Sequence, residues 1–294
     1  MIEYVIGKND ENMRADRFLM KATTAPSSLI YKAIRKKDVK VNKKHVSGDY
    51  LLSEGDVLCI YIDESLKKQK EEADAALNAK IVFEDENIII FDKPAGVFCQ
   101  PDGRHSAPAL SDMFKSYMKG SGLYDPGREN SFSPALCNRL DANTTGMVIG
   151  AKNAAALRDM NMLIREHCVK KYYKCTLEGI PKKDFDVVNA YITKDEKENK
   201  SVVKKNAGDK KISMEYRVLE KSNGGCICEV LLHTGRSHQI RAYFSSVGCP
   251  LKGDKKYGAR TGGGQKLRAY KIEFDFPKDF NGILAYFNGK IFTA

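Results

Sequence analysis

Residues 136–152 read Leu-Cys-Asn-Arg-Leu-Asp-Ala-Asn-Thr-Thr-Gly-Met-Val-Ile-Gly-Ala-Lys, and no other stretch constrains the chain as much. Leu136 and Leu140 bracket a polar segment. Asp141 then opens a row of small, turn-prone residues that ends at Gly146. Met147, Val148 and Ile149 follow as an apolar run long enough for a buried strand. The reading is strand, tight loop, strand, with one carboxylate (Asp141) and one guanidinium (Arg139) at the loop mouth. Asp-Ala-Asn is also ordinary turn chemistry, so the loop acquires meaning only from the rest of the chain.

A length of 294 residues allows one large domain or two. No apolar run approaches the roughly 18 residues needed to span a bilayer. The start, Met-Ile-Glu-Tyr-Val-Ile, has no basic region ahead of an apolar stretch and is not expected to be a secretory signal. The eight cysteines are scattered. Cys226 and Cys228 form a Cys-X-Cys without a second pair at zinc spacing, and they alternate as strand residues do. Free thiols suit a cytoplasmic protein. His233 and His238 lie five apart, off the ligand spacing of a metal site. A net charge of +11 favours a polyanionic partner, nucleic acid before membrane.

Residues 1–62 read as a small separate unit. An amphipathic segment around Phe18 and Leu19 precedes a helix that Ser27 or Ser28 can cap, running through Leu29, Ile30, Ala33 and Ile34. Val39, Val41, a turn at Asn42-Lys43-Lys44, Val46, and an alternating strand after Glu54-Gly55-Asp56 complete it. Between Lys32 and Lys44 stand seven basic residues and one acid, Asp38. A solvated helix face explains such a run. So does a phosphate-binding surface that includes Lys36, Lys37, Lys43 and Lys44. Residues 63–79, charged and then alanine-rich, read as an interdomain linker able to be helical.

Residues 80–294 form the expected core domain. Ile81-Val82-Phe83 and residues 88–91 suggest a hairpin, closed by the loop Asp92-Lys93-Pro94-Ala95-Gly96. A helix over 109–118 and a long loop over 120–134 follow. Asn153 can cap a further helix. In the strand over 170–179, Tyr173, Cys175 and Leu177 share one face. Two more strands lie at 211–219 and 226–233. A helix is expected from Thr234 to Val247, with His238, Arg241 and Ser245 on one side. A final strand spans 269–276.

Four segments in order carry a family pattern: Asp92-Lys93-Pro94-Ala95-Gly96; Arg139-Leu140-Asp141 with Thr144-Thr145-Gly146; Lys171-X-Tyr173 with Gly179; and Leu232-His233-Thr234-Gly235-Arg236-Ser237-His238-Gln239-Ile240-Arg241. With them the chain resembles the RluA class of RNA pseudouridine synthases. Its front segment resembles the ribosomal-protein-S-four-like RNA-binding domain, through Ala15-Asp16-Arg17-Phe18-Leu19, Lys40-Val41-Asn42 and Glu54-Gly55-Asp56. The resemblance implies an α+β fold: a catalytic core on a central, mostly antiparallel sheet, plus a small α/β RNA-binding domain. It implies an isomerase that converts uridines to pseudouridines in large-subunit ribosomal RNA, without cofactor or metal, as a cytoplasmic monomer with no membrane partner. Asp141 corresponds to the catalytic aspartate, Tyr173 to the aromatic residue against the target base, and Arg241 to the partner of the aspartate. Arg139 would manage the flipped nucleotide, and Arg236 and Gln239 would belong to the pocket. The sequence departs from the family pattern at Asn138 and Arg268, where the family usually has His, and at Thr145, where it usually has Ser.

The chemistry agrees with these residue types. The target base must leave its stack to be reached. An aromatic face then holds it, at about 1–3 kcal/mol per stacked base. A carboxylate acts as nucleophile or base only when ionised, and a neighbouring Arg offsets the desolvation that would neutralise it. A noncatalytic RNA-binding protein would not need Asp141, Tyr173 and Arg241 together. A nucleotide hydrolase would need a phosphate loop, which the Gly-rich run at 260–264 does not match. Neutralising Lys36, Lys37, Lys43 and Lys44 together is expected to lower RNA affinity and flatten its salt dependence, by up to about 0.7–0.9 in slope for each phosphate no longer bound. An unchanged slope in a salt titration would show that these lysines do not touch phosphate.

Overall fold

The computed structural model describes residues 1–68, 74–103, 105–195, 198, 200–204, 206 and 208–294. The chain divides into two compact units. The first gathers Met1–Leu77, Asp112–Ala135 and Ala151–Leu157, and the second Asn78–Ser111, Leu136–Gly150 and Arg158–Ala294.

In the first unit, strand β1 (Ile2–Val5) alternates buried and exposed residues, the period of a sheet with one covered face. Helices α1 (Ala15–Ala22) and α2 (Ser27–Arg35) follow, then strands β2 (Val39–Val41), β3 (Lys44–His45) and β4 (Val57–Ile60). The four strands pair in the order β1-β4-β2-β3, every pair antiparallel. Tyr4, Phe18, Leu19, Ile30, Val39 and Leu58 belong to its core. The expected serine cap of α2 does not form. Pro26 takes the N-cap position, and its fixed φ already sets the entry of the helix. Asn42 and Lys43 both have positive φ (50° and 67°), so β2 and β3 join through a tight left-handed turn. The Asn42 side chain pins that turn, donating to Asp56 Oδ1 at 2.7 Å and accepting from the Val57 amide at 2.9 Å. The loop over 120–134 is tied down within this unit as well. Asn130 donates to the Val5 carbonyl at 2.7 Å and to the buried Asp10 carboxylate at 3.0 Å.

The 63–79 segment contains a short 3-10 turn at Glu64–Leu66. Its residues 69–73 lie outside the described residues, and 74–78 are not helical although their alanine content favours a helix.

Strands β5 (Lys80–Glu84) and β6 (Ile88–Lys93) form the expected hairpin. Helix α3 (Leu110–Gly120), strands β7 (Ala135–Leu136) and β8 (Thr145–Ala151) and helix α4 (Ala154–Arg165) come next. Asn153 caps α4, accepting from the Ala156 amide at 2.8 Å. Strands β9 (Val169–Glu178), β10 (Phe185–Asp195), β11 (Lys200–Lys204), β12 (Lys210–Ser222) and β13 (Gly225–Leu232) precede helix α5 (Gln239–Ser246), and β14 (Leu267–Phe274) and β15 (Ile291–Thr293) close the chain.

The described strands after residue 80 form an eleven-stranded sheet ordered β11-β10-β12-β13-β9-β14-β8-β6-β5, with β15 on β14 and β7 on β8. The sheet is largely antiparallel, as expected. β14 and β8 run parallel. Residues 88–91 and 147–149 are wholly buried, which is why both strands read as unbroken apolar runs. On β9, Tyr173, Cys175 and Leu177 are buried on one face. All eight cysteines are free, and Cys226 and Cys228 lie buried on β13 with their sulfurs 3.7 Å apart. No helix of the described residues is long and apolar enough to cross a membrane.

Helix α5 differs from its expected span. It begins at Gln239, and residues 234–238 form a loop that ends with His238 in left-handed conformation (φ 56°, ψ 20°). Helical spacing over a few residues cannot distinguish a helix from the loop that leads into it.

Gly146 joins the site loop to the sheet. It pairs with Ala269 in the parallel register and has φ of +111°. A Cβ there would stand 2.2 Å from the Ala269 carbonyl oxygen. Gly248 has φ of +78° but no atom within 4 Å of its Cβ position. Thermal or urea denaturation should therefore show Gly146→Ala destabilised by about 2–4 kcal/mol, conformational strain plus overpacking. Gly248→Ala should show the smaller conformational cost alone.

Candidate active site

Asp141 sits in the loop between β7 and β8, and its carbonyl accepts the Thr144 amide at 3.0 Å to close the turn. That loop is held from beneath by a buried ammonium. Lys93, at the end of β6, is wholly buried and donates to three carbonyls: Pro94 at 2.9 Å, Val97 at 2.8 Å and Ala142 at 2.8 Å. Burial pulls its pKa down to about 8, against the opposing pull of Cys99 and Asp141. The Gly96 amide also donates to Ala142 O, at 2.9 Å. Lys93 thus links the loop after β6 to the residue beside Asp141.

Arg241 projects from α5 and is almost fully buried. Its Nε and Nη2 grip Asp254 at 2.7 and 2.9 Å, and its Nη1 donates to Asp141 Oδ2 at 3.0 Å. The guanidinium lies over the Tyr257 ring, 4.8 Å from the centroid. Burial works against its charge, but the two carboxylates outweigh that and raise its pKa. The Asp254 side chain is 2% exposed and that of Asp141 25%, so one carboxylate anchors the arginine and the other faces solvent. Asp141 Oδ1 accepts no hydrogen bond among the described residues.

Asp141, Tyr173, Arg241, Arg139, Arg236 and Gln239 all line one cavity of about 410 Å³ in the second unit. Tyr173 is buried on β9, and burial together with the Asp141 charge pushes its phenol pKa up, so it stays neutral. Arg139 is exposed at the mouth with no ion-pair partner among the described residues, a cation available to an anionic ligand. Arg236 is exposed and makes one long contact, Nε to the Lys211 carbonyl at 3.4 Å. Gln239 is buried and works mainly within the protein. Its Oε1 accepts from Thr234 Oγ1 at 2.9 Å and the Arg236 amide at 3.1 Å, and its Nε2 donates to the Ser213 carbonyl at 3.2 Å. Lys36, Lys37, Lys43 and Lys44 are exposed in the first unit and take no part in this lining.

The departures at Asn138, Thr145 and Arg268 have structural partners. Asn138 Oδ1 accepts the Ile149 amide at 2.8 Å, joining the site loop to β8. Thr145 Oγ1 donates to Leu267 O at 3.4 Å, and Arg268 pairs with Asp92 at 2.8 Å. None of these side chains bonds to Asp141.

Sequence reasoning gave no role to Lys93, Asp254 or Tyr257, and did not foresee the approach of His238 to Asp141. Asp254 and Tyr257 look like turn residues in Gly-Asp-Lys-Lys-Tyr-Gly, and nothing local pairs Asp254 with an arginine on the preceding helix. Lys93 carried a faint signal, a lysine ending a strand of Ile-Ile-Ile-Phe.

A carboxylate paired through one oxygen with a buried arginine, in a cavity that a buried tyrosine also lines, has the parts that base binding and reaction at a nucleoside need. Comparison with known proteins agrees. Residues 87–246 match the RNA pseudouridylate synthase family. An uncharacterized RNA pseudouridine synthase of Mycoplasma capricolum is 34% identical over 99% of this chain and 96% of its own length. The ribosomal large subunit pseudouridine synthase C of Vibrio cholerae is 31% identical over 92% of this chain and 84% of its own. Among solved structures, human RNA Pseudouridylate Synthase Domain Containing 4 shares the fold with a TM-score of 0.57 at 20% identity, over 73% of this chain and 87% of the human one. The chain belongs to the RNA pseudouridine synthase family, and its activity is that of an isomerase acting on RNA.

Because Arg241 keeps Asp254 when Asp141 is neutralised, the two aspartates should behave differently. Asp254→Asn leaves a buried guanidinium half-paired and should cost about 3 kcal/mol in urea unfolding. Asp141→Asn should leave stability nearly unchanged or raise it. Equal losses would show that the two carboxylates anchor Arg241 alike.

Proposed function

We propose that this protein isomerises specific uridines of large-subunit ribosomal RNA, with Asp141 as the reacting carboxylate. One observation carries the assignment: Arg241 holds Asp141 by Oδ2 at 3.0 Å and leaves Oδ1 open in a cavity shared with Tyr173. The overall change breaks the bond from uracil N1 to ribose C1′ and forms one from C5 to C1′. The proton on C5 leaves and N1 gains one, so atoms and charge balance without oxidant, reductant or water.

Each residue has a part. Tyr173, kept neutral, provides the ring against which the flipped base rests. Asp141 acts on the ribose–uracil unit as nucleophile or base, and Arg241 holds it in place through Oδ2. Arg139 and Arg236, exposed at the rim, pair with backbone phosphate. Gln239 shapes the loop that carries Arg236. Relatives named for the ribosomal large subunit support that RNA as the target.

Residues 1–62 are the affinity module on this reading, an S-four-like RNA-binding domain. Its tight turn presents Lys43 and Lys44, and the end of α2 presents Lys36 and Lys37, none of them in an ion pair among the described residues. The protein works as a cytoplasmic monomer, and its free thiols suit a reducing compartment.

Asp141→Asn keeps size and most hydrogen bonding and removes the charge. Pseudouridine formation on a ribosomal RNA transcript, read by chemical derivatisation, should fall below detection. RNA binding should persist, because it rests on basic residues elsewhere. A folded Asp141→Asn variant with wild-type turnover would end the assignment.

A further inference from the structure

His238 has no part in the scheme above, yet its ring is built into the site. Its side chain is 17% exposed, and its Nε2 stands 3.8 Å from Asp141 Oδ2, the oxygen that Arg241 also holds. Its Nδ1 lies 2.9 Å from the Tyr257 hydroxyl, and the two rings meet edge to face. The Tyr257 oxygen in turn accepts the Ser201 amide at 2.8 Å. Ser201 also fixes the adjoining backbone, its Oγ donating to the Ser237 carbonyl at 2.9 Å.

This chain of donors sets the tautomer. With the Ser201 N–H directed at the Tyr257 oxygen, the hydroxyl proton is left to point at Nδ1. A neutral imidazole that accepts at Nδ1 carries its proton on Nε2, facing Asp141. The backbone agrees that this placement is imposed. His238 is left-handed at φ 56°, which costs an L-residue about 1–2 kcal/mol. Such conformations persist where surrounding contacts over-determine them.

We propose that His238 is a positioning residue for Asp141, held by Tyr257 as the Nε2–H tautomer so that it and Arg241 fix Oδ2 and turn Oδ1 toward the substrate. The assignment rests on the reading of Asp141 as the reacting carboxylate. At 3.8 Å the contact is longer than a hydrogen bond, and such contacts tighten when substrate fills a site. The charged groups around the ring are Asp141, Arg241, Lys256 and Asp254. Burial lowers the pKa of His238, with Arg241 and Lys256 adding to burial and the aspartates opposing it, which favours the neutral form. An imidazolium would set a second cation beside Oδ2 and draw charge from the carboxylate that must react.

The test uses the full chain on an RNA that it modifies. Asn tolerates left-handed backbone but is too short to reach Oδ2. For His238→Asn, kcat should fall about 10- to 100-fold through misplacement of the carboxylate, with KM and melting temperature unchanged. His238→Gln, whose amide reaches the Nε2 position, should recover most of that loss. Tyr257→Phe keeps the ring under Arg241 but removes the proton donated to Nδ1. The neutral imidazole loses that support, its pKa rises, and the acid limb of the kcat profile should move to higher pH. Wild-type kcat in His238→Asn, or an acid limb that stays in place in Tyr257→Phe, overturns the role of His238 and leaves that of Asp141 intact. If His238→Asn fails to fold, the Tyr257→Phe profile decides alone. A wild-type chain inactive on every ribosomal transcript overturns both.

Discussion

The site depends on one buried guanidinium shared unequally between two carboxylates. Desolvating an arginine costs several kcal/mol, so the fold must supply counter-charge where Arg241 enters. Asp254 does so with two parallel hydrogen bonds, the geometry that matches a guanidinium best. Asp141 takes the remaining donor with one oxygen. The carboxylate that is less confined by hydrogen bonds is also the one more open to solvent.

The sheet explains how an aspartate on a loop is held with such economy. The Asp141 loop leaves the sheet at β7 and returns at β8, between β6 and β14. On the β6 side, Lys93 ties the Ala142 carbonyl of this loop to the Pro94 and Val97 carbonyls of the neighbouring one. On the β14 side, Gly146 allows the backbone to come as close as β14 requires. Backbone constraints act on both sides of Asp141, so its side chain is free for chemistry. The same logic applies to the loop before α5, where Gln239 holds residues 234–236 and Ser201 holds 237.

Strands and apolar runs were the legible part of this sequence. The β5–β6 hairpin, the buried β8, the shared face of β9 and the Asn153 cap all follow from patterns a few residues long. The start of α5 was not legible, because His238 has the spacing of a helical residue and a left-handed backbone. The cap of α2 was misread, because a proline before two serines can set the helix by its φ alone. The long loop over 120–134 looked available for function. Its anchors, Val5 and Asp10, lie more than a hundred residues earlier in the chain.

The site shows the same boundary. The sequence by itself determined which residue types were present: an aspartate in a turn, a tyrosine on a strand, an arginine on a helix, and a basic surface near the start. It also ordered them along the chain in a pattern shared with an RNA-modifying family. Only the tertiary structure decided that Asp254 would take the stronger half of Arg241, that Lys93 would lie beneath the Asp141 loop, and that the Tyr257 hydroxyl would meet His238 at Nδ1. Those outcomes depend on desolvation and on distances of about 3 Å between atoms far apart in the chain. Periodicity reports which face of an element is buried. It carries no record of what the opposite element brings to meet it.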